Sequence, residues 1–269
     1  MLHNENSRVK IPALVHFTRL GYEYLSLKNY SDKNLIDEDT NIFIDLLCAA
    51  INRINEIEYT LEDTQKLVNE LKLVLDNEDI GRAFYFILLN GYKGIKLIDF
   101  EDSVGEKNSF HVVTELTYKN GPDEFRPDIT VLVNGLPLAF IEVKKPNNKN
   151  GIKAEYDRMN TRVQNKKFRR FINLTQIMVF SNNSPYDDSE VVPLEGSFYA
   201  ASGYKKLFFN HFREEDAQLI SSVPEADEET ENFILKDNNL VSIKHTPEYI
   251  INRAIDTPTN SIITSLFSF

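Results

Sequence analysis

Residues 126–148, RPDITVLVNGLPLAFIEVKKPNN, constrain this chain more than any other stretch. Two apolar runs flank Asn134-Gly135, and Asn-Gly between such runs is the strongest short signal for a β-hairpin. The second run is apolar on both faces, with Leu136, Leu138 and Phe140 against Ala139, Ile141 and Val143, as expected of a central strand. Yet Asp128 opens the first strand, and Glu142 and Lys144 close the second. Charges at the end of a central strand are costly unless they have partners. A blander alternative has Asp128 as a turn residue after Pro127 and EVKK as an edge strand kept soluble by its charge.

The register separates these alternatives. With a strict two-residue turn at Asn134-Gly135, the numbers of facing residues sum to 269, Asp128 faces Ile141, and Glu142 points to the other side. A three-residue loop or one bulge raises the sum to 270 and brings Asp128 across from Glu142. The longer loop or a bulge is expected, because the chemistry these residues suggest needs both carboxylates on one face.

Helical periodicity dominates the first 90 residues. An amphipathic helix is expected over 7–20, with Pro12 in its opening turns and Gly21 as a left-handed stop. A second is expected over 39–57, a third after a Thr60/Asp63 capping box and through Leu75, and a fourth over 82–90 before Gly91. The period then changes. Residues 109–118, 174–181 and 197–202 read as strands, and 151–170 as a helix. Helices, strands, a helix and more strands give an α/β core with a mixed sheet. The cluster FFNHF at 208–212 reads as a dock for a terminal helix.

The net charge of −11 argues against coating nucleic acid by bulk attraction. The charge is uneven, however: residues 144–170 hold ten bases against Glu155 and Asp157, so that segment is +8 and the rest −19. This basic strip begins inside the hairpin. It reads either as a solvated face or as phosphate contacts, which position DNA without reading its sequence. Its members Lys145, Lys149, Lys153, Arg158, Arg162, Gln164 and Lys166 are the candidate DNA-binding residues. By contrast, residues 213–232 carry eight acids and one base and read as a solvated linker or peripheral helix.

No apolar run is long enough for a membrane span, and the N-terminus lacks a secretory pattern. Cys48 is the single cysteine, so no internal disulfide is possible and a reducing, cytoplasmic setting fits. It lies on an apolar stripe and reads as core. The five histidines lack zinc spacing. No GxxxxGK[ST] pattern occurs, so the chain as given is no ATP-driven motor.

Two carboxylates and a lysine on adjacent strands form a device for phosphodiester hydrolysis. The carboxylates supply oxygen ligands to Mg²⁺, which takes phosphate oxygens as further ligands. A lysine two residues beyond the second carboxylate shares its strand face and can orient a water or balance charge on the phosphate. Val143, between them, faces the core and offers its carbonyl to the metal.

The motif RPD(x13)EVKKP, with ENSRVKIPALVHFTRLGYEYL before it and LTQIMVFSNN after it, resembles the N-terminal nuclease domain of the motor (R) subunit of type I restriction endonucleases, within the PD-(D/E)xK superfamily. The resemblance implies a restriction-endonuclease-like core, a central mixed β-sheet flanked by helices, over residues 1–212, with a helical elaboration at 33–90. Residues 213–269 are expected to be an acidic linker and helical extension leading towards motor domains outside this sequence, and the apolar ending SIITSLFSF fits a fragment. By the same resemblance Asp128 and Glu142 are metal ligands, Lys144 is the catalytic lysine, and Glu5 is an additional acidic ligand. Mg²⁺ is the implied cofactor, with Mn²⁺ able to substitute, and ATP is used outside this chain. The implied partners are double-stranded DNA and the modification and specificity subunits, with no membrane. Relatives carry Gln-x-x-x-Tyr after the lysine; here Gln164 is followed by Phe168, which leaves Tyr156 as a substitute. Two rival readings use the same residues: a stand-alone junction or repair nuclease, and a docking domain with a decayed site.

Overall fold

The computed structural model describes residues 4–30, 33–102, 105–145, 151–186, 196–202, 206–213 and 223–268. The chain enters through a single π turn, Asn6–Lys10, which runs into helix α1, Ile11–Arg19. A regular helix was expected throughout, and Pro12 explains the departure. Its ring collides with the carbonyl four residues back and it has no N–H to donate. The turn before it is widened, so that the Ile11 N–H reaches the Asn6 carbonyl. Gly21, at φ 90°, ends the segment as expected, and β1, Glu23–Leu25, follows.

Three helices form one apolar cluster: α2, Ile44–Asn55; α3, Leu61–Leu75; and α4, Arg82–Asn90. The capping box of α3 is present: Thr60 accepts from the Asp63 N–H while Asp63 accepts from the Thr60 N–H. Helix α2 starts five residues later than expected. Asp37 Oδ1 accepts from Thr40 Oγ1 at 2.8 Å, and Asn41 turns left-handed at φ 60°, so 37–41 is a side-chain-bonded turn.

The sheet has seven strands in the order β1-β2-β5-β6-β7-β8-β9, where β2 is Phe110–Thr114, β5 Ile129–Val133, β6 Leu136–Val143, β7 Ile177–Ser181, β8 Ser197–Ser202 and β9 Leu207–Phe212. The β1/β2 and β6/β7 pairs are parallel and the others antiparallel, so the sheet is mixed and flanked by helices, as expected. Strand β2 stops at Thr114 because Glu115 sits at φ 57°. The residues beyond it enter a small hairpin, β3 Tyr118–Asn120 with β4 Asp123–Phe125. FFNHF is a strand rather than a loose cluster, and its Phe212 packs against the apolar cluster that holds the C-terminal helices. Alternating large side chains put it in the sheet as the edge strand β9.

The crossover from β6 to β7 carries α5, Gly151–Gln164, and α6, Arg169–Leu174. The single helix expected over 151–170 is broken at Asn165, whose side chain caps a 3₁₀ turn by accepting from the Lys167 N–H at 3.0 Å. The break lets Phe168 and Phe171 enter an aromatic cluster with Tyr118, Phe125 and Phe140. The other face of the sheet is closed by α1 together with α7, Glu228–Asp237, α8, Pro247–Asn252, and α9, Pro258–Phe267. Ile234, Leu235, Tyr249, Ile262 and Ile263 share one cluster with Ile129, Ile141 and Val143. The segment set apart as an extension is therefore packed as a layer of this core.

Candidate functional site: paired carboxylates at the end of the hairpin

The hairpin turn is a two-residue one, Asn134 at φ 54° and Gly135 at φ 78°. Asn134 is buried and saturates its amide: Nδ2 donates to the Leu97 carbonyl and Asn108 Oδ1, and Oδ1 accepts from the Ser109 N–H at 2.7 Å. Val133 faces Leu136 and Leu132 faces Pro137, the register of a strict two-residue turn. Beyond that the pairing shifts, and Val131 faces Ala139, Thr130 faces Phe140 and Ile129 faces Ile141. Leu138 is the extra residue of a bulge, next to a proline that cannot donate to the ladder. The facing numbers now sum to 270, so one step further Asp128 lies across from Glu142. The expected bulge is what puts both carboxylates on the face that carries Phe140.

Main-chain bonds hold the site. The Val143 N–H donates to Asp128 Oδ2 at 2.9 Å, and the Lys144 N–H donates to the Ser181 carbonyl at 2.8 Å. The Val143 side chain is buried among α1, α7 and β7 as expected. Lys144 Nζ lies 2.9 Å from the Val143 carbonyl, 3.2 Å from Glu142 Oε1 and 3.5 Å from Glu155 Oε1. Burial, then the neighbouring Asp128 charge, pushes the Glu142 pKa up to about 7. Burial also raises Asp128, against the Val143 N–H and Lys144. Burial works against the Lys144 ammonium too, but Glu142, Glu155, Asp128 and Glu5 outweigh it and raise its pKa. Glu5, half-buried before the π turn, is raised by burial and feels both Lys144 and Asp128.

These residues fit a hard cation. Glu142 Oε2 is buried without a hydrogen-bond partner, beside a second carboxylate whose proton affinity is also raised. The donors are all oxygen, which suits Mg²⁺ bound through one or two carboxylates rather than an all-protein cage. Among the described residues no group of three or more His, Cys, Asp or Glu side chains converges as a metal cage, so Glu5 neighbours the pair rather than completing one.

The basic strip does not form one face. Arg158 bonds Glu155, and the Arg162 guanidinium lies 3.8 Å from the centre of the Phe125 ring. With Glu142, Glu155, Arg126 and Thr117 they line a polar cavity of about 430 Å³. Lys145 is exposed beside the trio, Lys153 pairs with Asp157 at 3.1 Å, and Gln164 is exposed at the end of α5. Past the break, Lys166 is 3.9 Å and Arg169 2.6 Å from Glu78, Arg170 is 2.8 Å from Asp76, and Lys167 is 2.8 Å from Asp123. That half of the strip is matched by acids. Lys149 lies outside the described residues. Phe168 is buried against Tyr118, and Tyr156 packs its ring on Phe209 at 4.4 Å, so neither joins the trio. A larger apolar cavity, about 530 Å³, opens at the opposite end of the sheet by Val133, Leu138 and Phe267, away from the paired carboxylates.

Two residues were not anticipated. Glu155 is 1% exposed and contacts Lys144. The signal was its place in the series Glu155, Met159, Val163, a charge in an apolar helical stripe. Lys10 is 2% exposed and pairs with Glu115 at 2.9 Å; its charge lowers the Asp128 pKa while that of Glu115 raises it. It follows Glu5 through the π turn, which no periodicity announces.

Among the described residues no helix is long and apolar enough to cross a membrane. Over 97% of its length the chain is 27% identical to a protein of Methanocaldococcus jannaschii named as the MjaIXP endonuclease subunit of a type I restriction enzyme, 28% of which is covered. A second protein of that organism, named as the MjaVIIIP endonuclease subunit, is 33% identical over 46% of this chain and 12% of its own. The chain thus spans about a quarter of the length of the first relative and less of the second. The family described as the N terminus of the type I restriction enzyme R protein matches residues 3–186, and the chain belongs to that family.

Proposed function

We propose that the chain is the Mg²⁺-dependent, sequence-nonspecific endonuclease domain of a type I restriction–modification complex. The observation that carries this is the Leu138 bulge, which brings Asp128, Glu142 and Lys144 to one end of the sheet. Asp128, Glu142 and the Val143 carbonyl would hold the ion, with Mn²⁺ as a substitute. The ion supplies Lewis-acid polarisation of the phosphodiester and makes water more acidic. Asp128 is kept in place by the Val143 N–H. Lys144 orients the attacking water or balances the charge growing on the phosphate. Lys145, Lys153, Arg158 and Arg162 contact backbone phosphates, which fixes register and carries no sequence information.

The acidity of the rest of the chain makes independent DNA binding weak, so cutting waits until the modification and specificity subunits present double-stranded DNA. ATP is consumed by motor domains outside these residues, and the setting is cytoplasmic. The convergence of the trio favours this reading over a decayed docking domain, whose side chains would splay. The test is Lys144→Ala in the intact subunit, assembled with its partners, with DNA cleavage and ATP hydrolysis measured together. Loss of cleavage with ATP hydrolysis intact is expected. Unchanged cleavage would place the cutting centre elsewhere.

A further inference from the structure

The crossover helix offers the trio one more group. Glu155 is 1% exposed, on the stripe of α5 that also buries Met159 in the aromatic cluster. An apolar side chain would pack there without the cost of a buried charge. Glu155 Oε1 lies 3.5 Å from Lys144 Nζ and also accepts from Arg158 Nη1. On its other side the ammonium touches Glu142 Oε1 and the Val143 carbonyl, at 3.2 and 2.9 Å.

Both of those atoms belong to the proposed ion-binding set. A lysine on a flexible four-carbon stem follows the negative charge around it. With Glu142 and Val143 alone it would have no partner outside the ion-binding set to draw it aside when a cation enters. A buried carboxylate on the helix gives it a second anchor, off the ligands and towards the polar cavity where Arg158 and Arg162 stand. Arg158 limits the cost of Glu155 by sharing its charge.

We propose that Glu155 is the positioning residue for Lys144, tying its ammonium to α5 as well as to Glu142 and the Val143 carbonyl. This rests on the assignment of Asp128, Glu142 and Lys144 as the cutting centre. The test uses the intact subunit assembled with its partners, with single-turnover cleavage, duplex affinity, ATP hydrolysis and thermal melting measured on each variant. Glu155→Gln keeps the shape and removes the charge. It should slow cleavage by about 10- to 100-fold, the scale of a misplaced catalytic group, with duplex affinity, ATP hydrolysis and melting unchanged. Glu155→Asp restores the carboxylate and should regain most of that loss. Asp157→Asn, the same charge change on the exposed side of α5, should cleave normally.

Cleavage by Glu155→Gln within about threefold of the parent would overturn the proposal. So would a Glu155→Asp variant that melts normally and cleaves no better than Glu155→Gln. Should Glu155→Gln fail to fold, Glu155→Asp decides alone, because a positioning carboxylate predicts substantial cleavage from it and a deficit matching that of Lys144→Ala refutes it. Normal cleavage by Lys144→Ala is a separate failure, that of the cutting centre itself.

Discussion

The proposed role as an ion ligand asks Glu142 to ionise where ionisation is resisted. Its side chain is 12% exposed, Oε2 has no hydrogen-bond partner, and its pKa rises from 4.5 to about 7, through burial first and the Asp128 charge second. Because the folded-state value is the higher, the stability linked to this proton is fully present below pH 4.5 and is lost as pH rises through 7. At about 1.4 kcal/mol per unit, about 3 kcal/mol disappears across that window. Glu142→Gln keeps the shape and carries no charge at any pH. It should match the parent near pH 4.5 and exceed it at pH 8, by up to about 3 kcal/mol less what Lys144 loses with its partner. At roughly 2–4 °C per kcal/mol, several degrees of melting temperature are at stake.

The assay is a set of thermal melts of both proteins from pH 4.5 to 8.5 in chelator, read as the difference between them. The difference cancels His16, whose linkage runs the other way. Added Mg²⁺ or Mn²⁺ should then raise the parent's melting temperature at pH 8 and leave Glu142→Gln unmoved, since a ligand stabilises only the state that binds it. Coincident curves at pH 8, or a variant less stable than its parent there, would mean that the carboxylate is at ease in its pocket. A cation beside it would then have nothing to offset.

Two further outcomes follow from the core. Gly135→Ala would place a Cβ 2.6 Å from the Phe43 carbonyl at φ 78°, so urea unfolding should show a loss of at least about 2 kcal/mol. His16 is buried, its Nε2 2.7 Å from Thr264 Oγ1, and burial lowers its pKa from 6.5 to about 3. Its stabilisation is full above pH 6.5 and falls as pH drops towards 3, costing about 2 kcal/mol by pH 5. His16→Gln should flatten that acid limb in urea titrations at stepped pH.

The hairpin was legible because its turn residues and its apolar alternation are local. The bulge was foreseeable as a need, since one register alone puts Asp128 beside Glu142, but its place at Leu138 was not, apart from the hint of Pro137. The capping box and the glycine stops were legible for the same local reason. The C-terminal layer was hidden by its own charge. Acids at 225–231 mask the apolar spacing of Ile234, Leu235, Tyr249, Ile262 and Ile263, and nothing in that spacing says which sheet face it covers. Glu155 was hidden differently: one acid in a basic run looks like an ordinary surface partner for Arg158, and its burial depends on how α5 lies on the sheet.

The two ends of the hairpin differ in a way that bears on why charges sit there at all. At the turn, Asn134 bonds every polar atom it can reach and α2–α4 cover the rest with apolar side chains. At the other end Asp128, Glu142, Glu155 and the neighbouring Glu5 surround Lys144, with Arg158 bound to Glu155. A network kept for stability would pair its buried oxygens, because an unpaired one costs about 1–3 kcal/mol. Here Glu142 Oε2 has no hydrogen-bond partner, and the proton affinities of Asp128, Glu142 and Glu5 are all raised. Burial is the first cause at all three, and the Asp128 charge adds to it at Glu142. A proton relieves the cost of these buried charges at low pH, and a divalent cation would relieve it at neutral pH. Such relief is what the proposed ion-binding role asks of this end of the hairpin.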